Sequence, residues 1–371
     1  MNLRTRLAAA LATVLLASCG GGGDGDQSTS FKYDRLVSFG DSLSDVGTYK
    51  VGTVLALTAA QGGGRWSTST PAGGDIWIER IAGQIAVGKP CPAETGLRPN
   101  LLDSTGAPAI VGALVTAQAG CFNYAQGSSR ITSPLGPDSV ALQSIPDANN
   151  RGAPTQTLGV MAKPIRDQMA AHLVAAGGSY SGKELVTVMA GANDVFMELN
   201  FLRTPLGAAT PQGAVANVAL AGATLGALIK TEVLAKGAKR VLVLNIPDLA
   251  GTPLATRLGP DAKGLIDAMV KAFNTQLAIA LKDVPGVRLG DAYTVNKDQV
   301  TNPKPYGLTN VTNQACGPNA LGGSALVCNG TNLIAGDTSR YQFADEVHPT
   351  AYGHQLLAQF AIKELAQAGW L

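Results

Sequence analysis

A serine shortly after the apolar stretch at residues 35–39 could act as a nucleophile. Residues 35–39 are typical of a short buried strand that stops at Gly40, and residues 39–45 read FGDSLSD. Ser42 lies where a helix is expected to begin, so its hydroxyl would be exposed and its backbone N–H would point into a cleft. Taken alone, this pattern is better explained by a helix cap, a common role of Ser and Asp.

An asparagine at the end of a second apolar stretch could stabilise a developing negative charge. Residues 184–190 are typical of a buried strand, and Gly191-Ala192-Asn193-Asp194 follows them. The side-chain amide of Asn193 can donate a hydrogen bond to an oxyanion, and Gly191 lets a ligand or another part of the backbone approach closely. Taken alone, these residues are better explained by an Asx turn.

A carboxylate three residues before a histidine could form an acid–base pair. Residues 345–349 read DEVHP and precede the last helical pattern, so Asp345 can fold back onto His348, fix its tautomer and stabilise the imidazolium. A metal-binding pair and a surface turn are the alternatives. The other two histidines, His172 and His354, lie in helical patterns and are expected to be partly exposed. Neither is placed to complete a metal site, so we expect no metal.

Apolar runs alternate with helical patterns along the chain, which predicts an α/β protein. Four runs indicate strands buried on both faces, namely residues 35–39, 184–190, 240–246 and, more weakly, 287–289. Helical patterns occur at 165–176, 215–229, 261–282 and 357–365. This order predicts a parallel sheet with helices on both faces and a site at the carboxyl ends of the strands.

Two long loop segments interrupt this pattern, and they are better explained as parts of one domain than as a second domain. The segments 88–160 and 294–344 are rich in Gly, Pro, Asn and Thr, which is typical of loops. We therefore expect residues 31–371 to form one domain with elaborate loops rather than two domains.

The composition excludes several classes of protein. Of 371 residues, 46% are hydrophobic and 15% are charged, which excludes general disorder. The formal net charge of +2 gives no basic surface of the kind that binds nucleic acid. Beyond the N-terminus no apolar run reaches the length of a membrane-spanning helix.

The N-terminus has the layout of an export signal. Arg4 and Arg6 precede an apolar stretch that ends in Leu-Ala-Ser-Cys at residues 16–19, which resembles the bacterial lipobox. We expect a signal peptide at residues 1–18, a lipid on Cys19 and a flexible Gly-rich tether at 19–30. An unlipidated signal peptide is the alternative. The expected location is the cell envelope, as an outer-membrane lipoprotein held only by its lipid, with secretion as the alternative.

Four further cysteines suggest two disulfides. An even number of cysteines in an exported chain favours disulfides, and four cysteines allow three pairings. We favour Cys91–Cys121 and Cys316–Cys328, because each pair is close in sequence and lies in a loop-rich region. Each would stabilise the fold by roughly 3 kcal/mol through loop closure.

Four ordered blocks of sequence resemble the GDSL/SGNH hydrolase family of esterases and lipases. The blocks are GDSLSD at 40–45, NYAQGS at 123–128, GAND at 191–194 and DEVHPT at 345–350. GRWS at 64–67 and the stretch 245–253 are also similar to recurrent segments of the family. The resemblance implies a three-layer α/β/α flavodoxin-like sandwich with a central parallel sheet, the SGNH hydrolase fold.

The resemblance also implies roles for individual residues. Ser42 would be the nucleophile, His348 the general base and acid, and Asp345 the residue that orients His348. The oxyanion hole would comprise the backbone N–H groups of Ser42 and Gly127 and the side chain of Asn193. The second block reads AQGSS, where a second Gly and an Ala are more usual. No cofactor or metal is implied.

Four other residues near these blocks have structural interpretations. We expect Asp45 and Asp194 to hold loops in place, with Asp45 in the first turn of a helix, where a negative charge is favourable. For Trp66 and Trp77, packing in the core is favoured over a place in the acyl-binding cleft.

The function implied is a serine ester hydrolase that cleaves acyl or lipid esters through an acyl-enzyme at Ser42. The substrate would be a small-molecule or lipid ester, and no nucleic acid is expected as a partner. A carbohydrate-ester deacetylase of the same fold is the alternative, and a catalytically inactive surface-binding lipoprotein is a more remote one.

Overall fold

The architecture is taken from a computed structural model, which describes residues 31–69, 74–97, 113–137, 162–203 and 210–371. The expected signal peptide and tether at residues 1–30, Cys19 included, lie outside the described residues. So does most of the first long loop segment. The division into a leader, a tether and one domain therefore stays a prediction.

A four-stranded parallel sheet forms the centre of the molecule. Its strands are β1 (Arg35–Gly40), β4 (Glu184–Met189), β5 (Val241–Leu244) and β6 (Val287–Gly290), in the spatial order β1-β4-β5-β6. Every residue of β4 and β5 is buried, because helices cover both faces of the sheet. This explains why the strands read as near-continuous apolar runs, and the four predicted strands are confirmed.

Nine α-helices surround the sheet in the described residues. They are α1 (Gly52–Thr58), α2 (Trp77–Gln84), α3 (Ile165–Ala175), α4 (Ala192–Arg203), α5 (Pro211–Leu228), α6 (Pro253–Leu258), α7 (Pro260–Leu281), α8 (Ala292–Thr301) and α9 (Ala351–Gln367). A π-helical segment, Ile229–Leu234, continues α5. Two small sheets flank the core: β2 (Glu94–Leu97) with β3 (Ala113–Ala117), and β7 (Asn310–Gln314) with β8 (Tyr341–Phe343).

Side chains alternate between the two faces of the central sheet and define three layers. Val37 and Phe39 of β1 pack in a cluster with residues of α3, α5 and α7. Leu36 points the other way, into a cluster built with α2 and α9. The predicted three-layer α/β/α sandwich with a central parallel sheet is therefore confirmed.

The helix Pro211–Leu234 is long and apolar enough to cross a membrane, judged by length and composition alone. In the fold, however, its residues Val218, Leu225 and Ile229 are fully buried in the core. The helix also lies so close to α7 that a Cβ at Gly222 would be 2.4 Å from the carbonyl oxygen of Phe273. We therefore interpret it as an outer-layer helix of the sandwich that buries one face against the core.

Two local expectations are wrong. No helix begins at Ser42: residues 41–45 form turns, and α1 starts only at Gly52, so Asp45 does not lie in a first helical turn. His172 and His354 do lie in helices, but their side chains are buried rather than partly exposed. His172, for example, packs against the rings of Tyr124 and Tyr180, a tertiary contact that a helical pattern in the sequence does not reveal.

The structure contains both disulfides of the favoured pairing. Cys91 and Cys121 are bonded with their Cα atoms 5.1 Å apart, and Cys316 and Cys328 with theirs 5.9 Å apart. Both separations are ordinary for a disulfide.

Candidate active site

Three side chains from two distant parts of the chain form a continuous line of hydrogen bonds. Ser42 lies in the turn that follows β1, while Asp345 and His348 lie in the loop between β8 and α9. His348 Nε2 is 2.9 Å from Ser42 Oγ, and His348 Nδ1 is 2.8 Å from Asp345 Oδ2. A base in contact with a hydroxyl, itself oriented by a carboxylate, is the arrangement that activates a serine for nucleophilic attack.

Asp345 is buried and is held as a carboxylate by its neighbours. Its Oδ1 accepts the N–H groups of Val347 and His348, and its Oδ2 accepts the N–H of Ala325 at 2.8 Å. Burial raises the pKa of Asp345, but the His348 ring and the N–H groups of Val347 and His348 outweigh it and hold that pKa below its ordinary value. The carboxylate therefore stays ionised and keeps His348 in one orientation.

The Cys316–Cys328 disulfide supports this carboxylate through the loop that it closes. Ala325 lies within that loop, in a 3₁₀ turn, Ala325–Val327. Backbone bonds fix the loop to the triad segment, because the N–H of Cys316 donates to the carbonyl of Ala344 at 2.8 Å. The second long loop segment thus supplies a hydrogen bond to Asp345, a contact that the sequence did not suggest.

One of the two tryptophans considered lies in the site. The ring of Trp66 packs against that of His348 with centroids 4.9 Å apart and an angle of 33° between planes. Trp66 also lies against Gly127, where a Cβ would be 2.6 Å from the indole ring. Trp77 is buried in the core and donates its Nε1–H to Ser44 Oγ. Only Trp66 therefore contacts the acid–base pair.

Asn193 and the backbone N–H of Ser42 are two of the expected oxyanion donors. Asn193, at the start of α4, is buried and uses one amide N–H on the carbonyl of Ser129 at 2.9 Å. An amide has two N–H donors, so this bond orients the group and leaves a second donor. This second donor and the backbone N–H of Ser42 stay the predicted oxyanion donors.

Gly127 does not present its N–H to the site. The N–H of Gly127 donates to Asp45 Oδ2 at 3.0 Å. Asp45 also accepts hydrogen bonds from the N–H groups of Gly47 and Thr48. This geometry contradicts the expectation that Gly127 is an oxyanion donor. The physical reason is that the fully buried Asp45 carboxylate needs these donors. The next residue, Ser128, has a positive φ of 65°, at the place where a second Gly is more usual.

A buried glutamine joins the first and second blocks, and sequence reasoning missed it. Gln168 of α3 accepts the N–H of Gly40 at 2.9 Å and donates to the carbonyl of Gly40 and to Ser129 Oγ. It therefore fixes the end of β1 relative to the loop that follows Gly127. A single glutamine in a helical pattern carries no signal for such a role.

Asp41 and Asp194 are further buried carboxylates beside the triad. Asp194 pairs with Arg130 at 3.0 Å and accepts the N–H of Ile131, so it holds the loop of the second block, as expected. Burial, the largest effect on Asp41, raises the pKa of its carboxyl to about 6. Burial likewise raises the pKa of Asp194 and of Asp45.

Two cavities lie beside His348. The first offers about 60 Å³ to the centres of water-sized molecules and is lined by Ser42, His348 and mainly apolar side chains. The second offers about 600 Å³ and is lined by His348, Asp345 and several polar side chains, among them Arg257 and Glu346. The described residues contain no group of three or more His, Cys, Asp or Glu that could hold a metal ion.

The family model described as GDSL-like lipase/acylhydrolase matches residues 36–361. The chain belongs to this family. The matched range includes all four blocks and both members of the Ser42–His348 hydrogen bond.

Curated relatives are plant proteins that match part of the chain. The Arabidopsis thaliana GDSL esterase/lipase At1g74460 is 32% identical over 135 residues, which cover 34% of this chain and 37% of that protein. GDSL esterase/lipase At1g06990 from the same plant is 23% identical over 35% of this chain and 39% of that protein. The match thus spans well under half the length of these two relatives.

Solved structures show a more distant likeness. A catalytic mutant of Axe2, an acetylxylan esterase from Geobacillus stearothermophilus, is 11% identical, with a TM-score of 0.42 over 91% of this chain and 96% of that one. The lipase Lip_vut3 from a goat rumen metagenome is 13% identical over 91% and 97%, with a TM-score of 0.39. Neither similarity is close enough to identify a substrate for this chain.

The raised pKa of Asp41 predicts a specific pH dependence of stability. The ordinary pKa is 3.8 and the folded-state pKa is about 6, so the folded protein binds this proton more tightly than the unfolded chain. The resulting penalty is absent below about pH 4, grows as the pH rises to 6 and is complete above it, at about 3 kcal/mol. Asp41→Asn should therefore raise the free energy of unfolding at pH 8 and change it little at pH 4.

Urea unfolding of the wild type and Asp41→Asn at both pH values measures this difference. Comparing the two proteins cancels the titration of other groups, and an Asn oxygen can still accept the N–H of Leu43 that Asp41 accepts at 3.1 Å. An equal difference in stability at both pH values would show that Asp41 does not titrate as described.

Proposed function

We propose that this protein hydrolyses carboxylic esters through an acyl-enzyme formed on Ser42. The observation that carries the proposal is the line of hydrogen bonds from Ser42 through His348 to Asp345. Membership of the GDSL-like lipase/acylhydrolase family supports it. The substrates we propose are acyl or lipid esters.

The geometry defines the first half of the reaction. His348 Nε2 takes the proton of Ser42 Oγ as this oxygen attacks the ester carbonyl carbon. Asp345, at Nδ1, stabilises the imidazolium that forms. The carbonyl oxygen gains charge and is stabilised by the Ser42 N–H and the Asn193 amide, each such donor being worth roughly 3 kcal/mol in the transition state. His348 then protonates the departing alcohol.

Water completes the cycle. It enters after the alcohol has left, loses a proton to His348 Nε2 and attacks the acyl carbon. The bond to Ser42 Oγ breaks, this oxygen recovers its proton from His348, and the carboxylic acid is released. Trp66 keeps the imidazole in place throughout, because its ring covers one face of His348.

Deacetylation of a carbohydrate ester is a second candidate function. The observation that favours it is the wide cleft of about 600 Å³ beside His348, whose mixed lining includes polar side chains, Arg257 and Glu346 among them, that suit a hydroxylated alcohol. It uses the same three residues and the same steps, and it differs in the size of the acyl group.

A fluorophosphonate should label Ser42 and no other serine. The probe reacts with a serine only where a base takes its proton, so Ser42→Ala should abolish the adduct while Ser44→Ala retains it. Ser44 is a suitable control because it is fully buried and accepts a hydrogen bond from Trp77. Mass spectrometry of digested protein locates the adduct. An adduct on Ser44, or no adduct on folded protein, would contradict the proposal, and the second result would favour an inactive binding protein.

Removal of the Cys316–Cys328 disulfide should lower kcat. The closed loop positions the Ala325 N–H on Asp345, and a hydrogen bond to a charged group is worth about 1.5–3 kcal/mol, or roughly 10- to 100-fold in rate. The double variant Cys316→Ser/Cys328→Ser is assayed for kcat and KM on p-nitrophenyl butyrate, with its thermal midpoint measured in parallel.

The double variant Cys91→Ser/Cys121→Ser is the matched control. It also loses one disulfide, but neither cysteine belongs to the loop that supplies the Asp345 contact. We expect both variants to lose stability and the first to lose more kcat. A kcat equal to that of the wild type in the Cys316/Cys328 variant would show that the loop does not support Asp345.

We further propose that the protein is exported and held at the cell envelope by a lipid on Cys19, as an outer-membrane lipoprotein. The Leu-Ala-Ser-Cys sequence after the apolar stretch supports this proposal. The two disulfides are compatible with an oxidising compartment. In this case the lipid alone contacts the membrane, and secretion remains the alternative.

A Cys19→Ala variant should lose membrane association and keep its hydrolytic activity. The lipid requires the thiol of Cys19, whereas the catalytic residues lie in the domain beyond the tether. Membrane fractionation and intact-mass analysis of the wild type and the variant measure both effects. Wild-type protein without a lipid mass, recovered entirely from the medium, would instead support plain secretion.

A further inference from the structure

The narrow cavity runs along the carboxyl edge of the central sheet. It begins at Ser42 after β1 and is lined in turn by Met189 at the end of β4, Pro247 after β5 and Ala292 after β6. The residues Leu357 and Phe360 of α9 form its other wall. The cavity is therefore a channel that leads away from the nucleophile.

The sheet order sets the length of this channel. Its lining residues follow four neighbouring strands, β1, β4, β5 and β6. Neighbouring strands lie about 4.8 Å apart, so three spacings give a length of roughly 14 Å. The space for water centres, about 60 Å³, holds only about four to six waters. Such a channel admits molecules in single file.

We infer that this channel binds one unbranched acyl chain of medium length, so that the substrate is a medium-chain acyl ester. The inference rests on the proposed function and deepens it. An extended hydrocarbon chain advances about 1.3 Å per carbon, so roughly 14 Å accommodates about ten carbons. A sugar ring is too wide for single file, and an acetyl group would leave most of the channel unused.

The far end of the channel limits the length of the chain. Gln299 lies in α8, which follows β6 at this end, and Asp248 follows the neighbouring strand β5; both side chains line the cavity and are buried. Asp248 is already bonded, since its Oδ1 accepts the N–H of Ala250 at 3.1 Å. A longer alkyl chain would have to pack against these polar groups without offering them a hydrogen bond, which is unfavourable.

The wide cleft then receives the alcohol. It is lined by His348 and Asp345 but, unlike the channel, not by Ser42. The acyl carbon becomes bonded to Ser42 Oγ, so the acyl chain lies on the side of Ser42. The bond to the alcohol oxygen breaks, and this oxygen leaves with the proton that His348 carries. Arg257 and Glu346, paired at 2.5 Å, provide a polar wall on this side.

The test is a series of p-nitrophenyl esters from acetate to palmitate with one constant alcohol. Each buried methylene should raise kcat/KM about three- to fourfold until the channel is full. We expect the highest value near eight to ten carbons and a fall at longer chains.

Val295 of α8 lines the far part of the channel and allows a sharper test. Val295→Phe should shift the optimum to shorter chains and lower the decanoate-to-acetate ratio of kcat/KM, whereas Val295→Ala should extend the optimum to longer chains. Val174→Phe is the matched control, because Val174 is 86% exposed on α3. It should leave the ratio unchanged.

The outcomes separate this inference from the proposed function. If no ester of the series is cleaved and no fluorophosphonate adduct forms, the proposed function itself fails. If esters are cleaved with an optimum at acetate, or if both Val295 variants keep the wild-type ratio, the function stands and the channel assignment is overturned. Circular dichroism shows that each variant is folded, and the ratio does not depend on the active fraction.

Discussion

A buried carboxylate must be hydrogen-bonded, and this requirement organises the loops of the site. Asp45 accepts hydrogen bonds from three N–H groups in two loops. Asp194 pairs with Arg130 and accepts the N–H of Ile131. Asp345 accepts N–H groups from its own turn and from Ala325. Each aspartate thus ties one segment to another at the carboxyl edge of the sheet. Leaving such a group unpaired would cost several kcal/mol, so the loop positions are strongly determined.

Whether a feature leaves a local pattern in the sequence explains which parts of the structure could be predicted. The strands were predictable, because burial on both faces leaves an unmistakable apolar run. The pairing of Ser42 with His348, 306 residues later, was predictable only from the family's blocks. The direction of the Gly127 N–H was not, because it depends on where the Asp45 carboxylate comes to lie. The roles of Gln168 and Ala325 likewise depend on tertiary contacts that leave no local pattern.

Burial also separates the three histidines of the chain by their chemistry. Desolvation lowers the pKa of His172 to about 4 and that of His354 to about 3, so both are neutral near pH 7. His172 packs among Phe39, Tyr124 and Tyr180 and behaves as part of the aromatic core. His348 differs from both because it contacts a carboxylate on one ring nitrogen and a hydroxyl on the other. Of the three histidines, His348 is therefore the one placed to transfer protons at neutral pH.

The position of His348 also divides the space around the nucleophile. The imidazole lines both cavities, the narrow, mainly apolar channel that contains Ser42 and the wide cleft with a mixed polar and apolar lining that does not. The base gives a proton to the departing alcohol and takes one from the entering water, both on the side of the wide cleft, while the acyl group has to stay fixed during two attacks on the same carbon. A tight apolar channel for the acyl group and a wider, more polar cleft for the exchanging groups meet these two demands. The selectivity for the acyl chain and the exchange of alcohol for water can therefore be set by different residues.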